Sequence, residues 1–310
     1  MKLITVVTPC YNEEANVEEV YAQVKAVFAQ IEDVAYEHLF IDNCSTDRTA
    51  LLLRQLATAD KSVKVILNAR NFGHIRSPYY GLLQAQGDAV ILLVADLQDP
   101  PEMIRQFVSH WNAGEKVVVG VKSSSEESAL MFNIRKLYYR MIASISEVEL
   151  VNNFTGFGLY DKKVVDILRK IGDPYPYFRG LISEIGFPIV KIPYSQPRRQ
   201  RNITKNNFYT LYDIAMLGIT SHSRLPLRLA TMFGFVLSGI SLLISLAYLL
   251  LKLMFWDYFS FGTAPILIGI FFFASVQLFF IGLLGEYVGT ILLHVMKRPL
   301  VVESDRINFN

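Results

Sequence analysis

Ala89-Val90-Ile91-Leu92-Leu93 runs straight into Val94-Ala95-Asp96-Leu97-Gln98-Asp99-Pro100-Pro101-Glu102. The apolar run predicts a buried strand. The strand ends in acidic and amide oxygens and is stopped by Pro-Pro, so hard donors stand at the end of a sheet. In open α/β sheets, ligands bind beyond the carboxyl ends of the strands. Oxygen donors of this kind suit Mg²⁺ or Mn²⁺, ions that bridge a protein to a diphosphate. An Asp on a turn after a strand is common, so Asp-x-Gln takes its weight from its neighbours.

Outward from this junction, residues 1–195 alternate short apolar runs with amphipathic stretches. Leu3–Thr8, His38–Ile41, Val63–Leu67 and Ala89–Val94 read as strands. Helical patterns lie near Glu13–Gln30, Asp47–Ala57, Ser77–Gln86 and Pro101–Trp111. This alternation predicts βαβ units and a largely parallel sheet. Val117–Val121 and Phe157–Tyr160 add strands, the second with an antiparallel option. The first two strands end in Thr8-Pro9-Cys10-Tyr11-Asn12-Glu13-Glu14 and Asp42-Asn43-Cys44-Ser45-Thr46-Asp47. Carboxylates there can accept hydrogen bonds from a base edge or from ribose hydroxyls. Ser45-Thr46-Asp47 also reads as a helix cap, which needs no ligand.

The chain has 310 residues, of which 52% are hydrophobic and 13% aromatic. Its mean hydropathy is +0.31, too apolar for a purely soluble chain. A net charge of +2 says little about partners, and no nucleic-acid partner is expected. Cys10 and Cys44 read as reduced residues of a cytosolic domain. The apolar start at Leu3 meets Pro9 too soon for a signal peptide.

The apolar excess sits in the last third. Leu229–Leu251 carries no charge over 23 positions, and Tyr258–Gly285 none over 28. A bilayer core needs about 20 apolar helical residues, so a transmembrane hairpin is expected over 227–296, with spans near 229–251 and 265–289. Trp256, Tyr258 and Phe259 in the link suit a membrane interface. Arg198, Arg199, Arg201, Lys205, Arg224 and Arg228 precede the hairpin, and Lys297 and Arg298 follow it, against Lys252 in the turn. The positive-inside rule then gives a multi-pass protein of the inner (plasma) membrane, with the large domain and both termini cytoplasmic. Residues 297–310 read as a cytoplasmic tail. Gly282, Gly285 and Gly289 allow close helix contact, within the hairpin or between copies in a homo-oligomer. Residues 196–226 read as a basic juxtamembrane segment, with an amphipathic helix over Phe208–Ser223.

These elements together resemble glycosyltransferase family 2, and more narrowly its polyisoprenyl-phosphate glycosyltransferases, relatives of dolichol-phosphate mannose synthase. The resemblance rests on Pro9–Glu14, Asp42–Thr49, Asn71-Phe72-Gly73 and Ala95–Glu102. It continues in Tyr177-Phe178-Arg179-Gly180-Leu181, Gly218-Ile219-Thr220-Ser221, Leu284–Gly289 and Lys297-Arg298-Pro299. The two-span hairpin is similar to the bacterial branch, which loads sugars onto undecaprenyl phosphate for modification of cell-envelope polysaccharide. The resemblance implies a GT-A (Rossmann-like) α/β domain, a nucleotide-diphosphate sugar donor and a divalent cation. By position, Pro9, Tyr11, Glu13 and Asp42 would hold the nucleoside, with Asp96 also on the donor side. Asp96 and Gln98 would bind the metal, and Arg179 would approach the phosphates of donor or acceptor.

Three positions depart from the family pattern: Asn43 and Val94, each often Asp, and Gly156, where relatives carry an Asp that is a candidate base. A sugar hydroxyl needs such a base. A lipid phosphate, with a second pKa of about 6, already presents an anionic oxygen. Transfer to a phosphate therefore survives the loss of that Asp better than transfer to a hydroxyl. Asp161 is an alternative base, although a capping role suits its place before a helix. Cations for the acceptor phosphate are sought in two places. Arg135, Lys136 and Arg140 lie in a helical pattern over Met131–Ile145, which reads as a membrane-surface helix or as an ordinary amphipathic one. Arg199, Arg201 and Lys205 lie in a run resembling the family's acceptor element, with Asn202 replacing its Gly; such a run also binds anionic lipid.

The expected activity is inverting transfer of a sugar, glucose from UDP-glucose by family analogy, to a polyisoprenyl phosphate. A catalytically silent membrane scaffold is the rival. A processive polysaccharide synthase fits less well, because no Gln-x-x-Arg-Trp element is present.

Overall fold

Lys2–Cys10 forms β1, whose residues Ile4 to Val7 are fully or almost fully covered. A strand buried on both faces belongs in the middle of a parallel sheet. The computed structural model describes residues 1–124, 151, 153–196, 225–254, 263–296 and 298–309. From β1 the chain runs through α1 (Val17–Phe28), β2 (Val34–Asp42), α2 (Thr49–Ala59), β3 (Val63–Asn68), α3 (Gly73–Gln84) and β4 (Ala89–Leu92). A short 3₁₀ turn at Pro101–Met103 leads into α4 (Ile104–Asn112) and β5 (Val117–Ser124). Then follow β6 (Phe154–Asp161), α5 (Lys162–Ile171), α6 (Phe178–Glu184) and β7 (Ile189–Ser195). Two long helices, α7 (Leu225–Met254) and α8 (Thr263–Val295), precede β8 (Glu303–Ile307).

The strands make one sheet in the order β7-β5-β6-β4-β1-β2-β3-β8. β1 pairs in parallel with both β2 and β4, and β2 with β3. β6 is antiparallel to both its neighbours, β4 and β5. Helices cover both faces. Val20 and Val24 of α1 pack with Phe107 and Trp111 of α4 on one side. Tyr79 and Leu82 of α3 pack with Val164 and Leu168 of α5 on the other. Each fully buried large apolar side chain contributes about 1.5–3 kcal/mol.

Three expectations need correction. The segment expected as a tail, 297–310, supplies β8, antiparallel on β3 with Glu303 opposite Asn68 and Ile307 opposite Val65. Its charges hid it, because an edge strand does not need a continuous apolar run. The domain that closes the sheet therefore draws on both ends of the chain rather than on 1–195 alone. α3 begins at Gly73 and not near Ser77, since Pro78 sits inside the helix instead of starting it. Asp161 is no base: it caps α5, accepting from the Lys163 N–H at 3.0 Å and from the Trp111 indole at 2.8 Å. It also lies opposite Ala89, at the amino end of β4, across the sheet from Asp96.

Among the described residues, Phe272–Val295 of α8 is long and apolar enough to cross a membrane. Gly282, Gly285 and Gly289 face open space. The amphipathic segments over 131–145 and 208–223, the aromatic link, and Arg135, Arg140, Arg199, Arg201 and Lys205 lie outside the described residues.

Candidate active site

The strand order reverses at β1. From it the chain builds outward through β2 and β3 on one side and places β4 on the other. Reversal leaves a crevice between the carboxyl ends of β1 and β4, where open α/β sheets bind ligands. Pro9 and Val94 meet there in the wall of a cavity of about 200 Å³, which also takes in His74, Thr155, Tyr177 and Arg179. The structure thus brings together the ends of two parallel strands, the start of α3 and the start of α6.

The backbone is strained around this rim. Asn12, Cys44 and Leu97 have φ of 58°, 63° and 57°, after β1, β2 and β4 respectively. Left-handed backbone at non-glycine residues costs roughly 1–3 kcal/mol each and gathers at functional sites. Hydrogen bonds hold it. The Asn12 N–H donates to Ser45 Oγ at 2.8 Å, and Asn12 Oδ1 accepts from the Thr46 N–H at 2.8 Å. The Glu13 N–H donates to Thr49 Oγ1 at 2.8 Å. In the β4 turn, Asp96 Oδ1 accepts from the Gln98 N–H at 3.1 Å.

The expected nucleoside residues divide. Pro9 lines the cavity, while Tyr11 and Glu13 are half-buried on the adjoining loop. Glu13 Oε2 accepts from the Asn16 side chain at 2.6 Å. Asp42 is buried, and both its oxygens accept from Ser45, from the hydroxyl at 2.5 Å and from the N–H at 3.1 Å. Burial raises its pKa against those bonds, and nearby Asp47 adds to the rise.

Asn43 serves the scaffold. Its Oδ1 accepts from the Phe72 N–H at 2.9 Å and from the Asn68 amide at 3.1 Å. Its Nδ2 donates to Asn71 Oδ1 at 2.9 Å and to the Gly73 carbonyl at 3.2 Å. Three of the bonds clamp the loop that starts α3 and the fourth joins the amide to the end of β3, so the amide is fully used and has no capacity left for a base. Gly156 has φ of 105°, a conformation that L side chains rarely adopt. A Gly156→Asp change would therefore be strained here.

Asp96 and Gln98 are half-buried two residues apart, and their oxygens are of the hard type that Mg²⁺ or Mn²⁺ takes. Among the described residues no three His, Cys, Asp or Glu side chains gather to hold a metal by themselves. That donor set fits an ion completed by a ligand's own phosphate oxygens.

The sequence reading missed Asp99, although it stands in the quoted stretch. It is buried, and its Oδ1 accepts from the Tyr194 hydroxyl at 2.5 Å, tying the β4 turn to β7. Burial pushes its carboxyl up to about 6, against that bond and the charge of Lys122. His74, Thr155 and Tyr177 were also missed. The one signal for Tyr177 and its neighbours was the run before Arg179.

Residues 5–168 match glycosyl transferase family 2. The chain is 33% identical over 299 residues to the uncharacterized glycosyltransferase YkcC of Bacillus subtilis (strain 168), covering 96% of this chain and 92% of that one. It is 32% identical to the SfII prophage-derived bactoprenol glucosyl transferase of Shigella flexneri, covering 98% and 99%. Among solved structures, glucosyl-3-phosphoglycerate synthase from Mycobacterium tuberculosis, in complex with Mn²⁺, uridine diphosphate and phosphoglyceric acid, is similar at a TM-score of 0.50 and 17% identity. That match covers 71% of this chain and 76% of the other. At that identity the likeness is one of fold, a GT-A-like α/β domain with a mixed sheet.

Proposed function

The chain belongs to glycosyl transferase family 2, and from that premise we propose that it moves a sugar from a nucleotide-diphosphate donor to a polyisoprenyl phosphate at a membrane surface. The observation that carries the reading is the crevice at the β1/β4 reversal, with Pro9 on one lip, the Asp96–Gln98 turn just past Val94 on the other, and Arg179 in the wall. The bactoprenol glucosyl transferases supply the acceptor class and favour glucose, with UDP-glucose as donor.

In this reading Pro9, Tyr11, Glu13 and Asp42 shape the nucleoside side. Asp96 and Gln98 would hold Mg²⁺ or Mn²⁺, which when bound neutralises diphosphate charge. A lipid phosphate oxygen attacks the anomeric carbon from the face opposite the leaving group. The carbon–oxygen bond to the diphosphate breaks, and the nucleoside diphosphate leaves with its electron pair. The configuration inverts. The acceptor oxygen is already anionic near neutral pH, its second pKa being about 6, so no residue has to remove a proton. The protein's task is to align two anions and to stabilise the leaving charge, a role we assign to Arg179. Arg135, Arg140, Arg199, Arg201 and Lys205 remain our candidates for the acceptor phosphate.

Chain closure supports the membrane placement. β8 lies on β3 of the same sheet as β1, so the chain that leaves after β7 returns to the side it left. A crossing by α8 would then need a second crossing, for which α7 is our candidate among the described residues. The basic flanks then favour the cytoplasmic side.

The test is transfer from labelled UDP- and GDP-sugars to undecaprenyl phosphate in detergent, with Mg²⁺, Mn²⁺ or EDTA. A labelled lipid formed only with metal is expected. No product from any donor, beside an active relative, would leave the silent scaffold as the better account.

A further inference from the structure

We propose that Asp173 and His294 are a positioning pair that registers the wall of the active cavity to the membrane-side end of α8; the inference rests on the membrane-surface reading above. His294 lies in the last turn of α8. Its Nδ1 is 2.8 Å from the Thr290 carbonyl, and its Nε2 is 3.3 Å from Asp173 Oδ1. Both partners are acceptors, so the ring is held between the Asp173 carboxylate and the helix's own backbone one turn earlier, which fixes its orientation.

Asp173 passes that placement on. Its Oδ1 also accepts from the Tyr175 N–H at 2.8 Å, closing a tight turn. The Tyr175 ring carries the Arg76 guanidinium 5.3 Å from its centroid, which joins the turn to α3. The next residues, Pro176, Tyr177, Phe178 and Arg179, line the active cavity. The Tyr177 carbonyl starts α6 by accepting from the Gly180 and Leu181 N–H groups at 2.9 and 3.1 Å. Asp173 thus stands six positions before Arg179 in the chain.

A cavity of about 570 Å³ opens beside the pair, lined by Ile171, Gly172, Pro174, Arg298 and Leu300 as well. The His294 side chain is 42% exposed, so the pair adds little to global stability. What it supplies is direction: it holds a short loop between a membrane-side helix end and the cavity.

The experiment compares the full chain in nanodiscs with its Asp173→Asn, His294→Leu and His294→Lys variants by amide hydrogen exchange. In Asp173→Asn and His294→Leu, exchange over residues 173–184 rises about tenfold, while the strands of the sheet keep their protection. His294→Lys, which sets an ammonium donor facing Asp173, restores the loop. In the transfer assay kcat/KM for the lipid acceptor falls in the first two variants, and the KM for the donor is unchanged. Unchanged loop exchange in both variants overturns the proposal, as does a rise spread evenly over the sheet. Failure of the wild-type chain to transfer any sugar defeats the proposed function and leaves the exchange result decisive for the pair.

Discussion

Asn43→Asp, which replaces the clamping amide by a carboxylate, destabilises the protein. The substitution keeps the acceptor that receives Phe72 N–H and the Asn68 amide. It turns the donor into an oxygen facing Asn71 Oδ1 at 2.9 Å and the Gly73 carbonyl at 3.2 Å. Two lost hydrogen bonds cost about 0.5–1.5 kcal/mol each, and buried acceptors left facing one another cost about 1–3 kcal/mol more. With roughly 3–4 kcal/mol lost, and about 2–4 °C for each kcal/mol in a domain of this size, the melting temperature falls by about 10 °C at pH 8. The new carboxyl can regain one donation by holding its proton, so its folded pKa lies above the unfolded value of about 3.9. The penalty is therefore smallest below pH 4 and grows as the pH rises through the folded pKa.

Thermal unfolding in detergent at pH 5 and pH 8, followed by intrinsic fluorescence, measures both parts. The variant should lose more against wild type at pH 8 than at pH 5. Asn43→Ser, which introduces no charge, should show no such pH difference. An Asn43→Asp protein that melts within a degree of wild type at pH 8 refutes the four-bond clamp.

Asp96→Ala should cut transfer by roughly 10²–10³-fold, the scale of losing one stabiliser of transition-state charge, and EDTA should silence the wild type; full activity in the variant would sink the metal assignment. Arg179→Lys keeps the charge but loses the planar fork, so it should retain more transfer than Arg179→Gln, and equal rates for the two would remove Arg179 from the phosphates. Burial pushes His38 down to about 3, below its unfolded value of about 6.5, so the unfolded chain binds the extra proton and stability is lost as the pH falls from 6.5 toward 3. His38→Leu should flatten that acid limb between pH 7.5 and pH 5, and an unchanged slope would place the acid sensitivity elsewhere.

What the sequence revealed tracks how local each signal is. β1 to β4 were legible because buried parallel strands are written as apolar runs. β8 was not, since Glu303, Asp305 and Arg306 fill most of it and only pairing with β3 makes it a strand. Asp96 and Gln98 announce themselves through spacing. Asp99 and Tyr194 are 95 residues apart, so no window along the chain could join them. Asn43 read as a weakened ligand because its four partners lie on two other segments. Thr155-Gly156-Phe157-Gly158 hid the start of β6, as two glycines break the pattern of a strand.

The direction of β8 decides which edge of the sheet faces the helices. Glu303, the first residue of β8, sits opposite Asn68, the last of β3. The chain arriving from α8 therefore enters at the carboxyl edge, the edge that carries the Pro9 to Gln98 crevice. A parallel β8 would have brought it to the opposite edge, far from the chemistry. Val295 and Glu303 are eight residues apart, so the end of α8 lies within about 29 Å of that edge even with the link fully extended. Along the edge, β3 is two strands from β1, about 10 Å at ordinary strand spacing. On the proposed reading, a lipid phosphate at the surface where α8 emerges lies on the crevice side of the sheet, while a water-soluble donor can approach from the domain's open side. That geometry supports a surface-bound acceptor over one drawn fully out of the membrane. It also explains how a strand with so little apolar character bears on function: its register fixes which way the crevice looks.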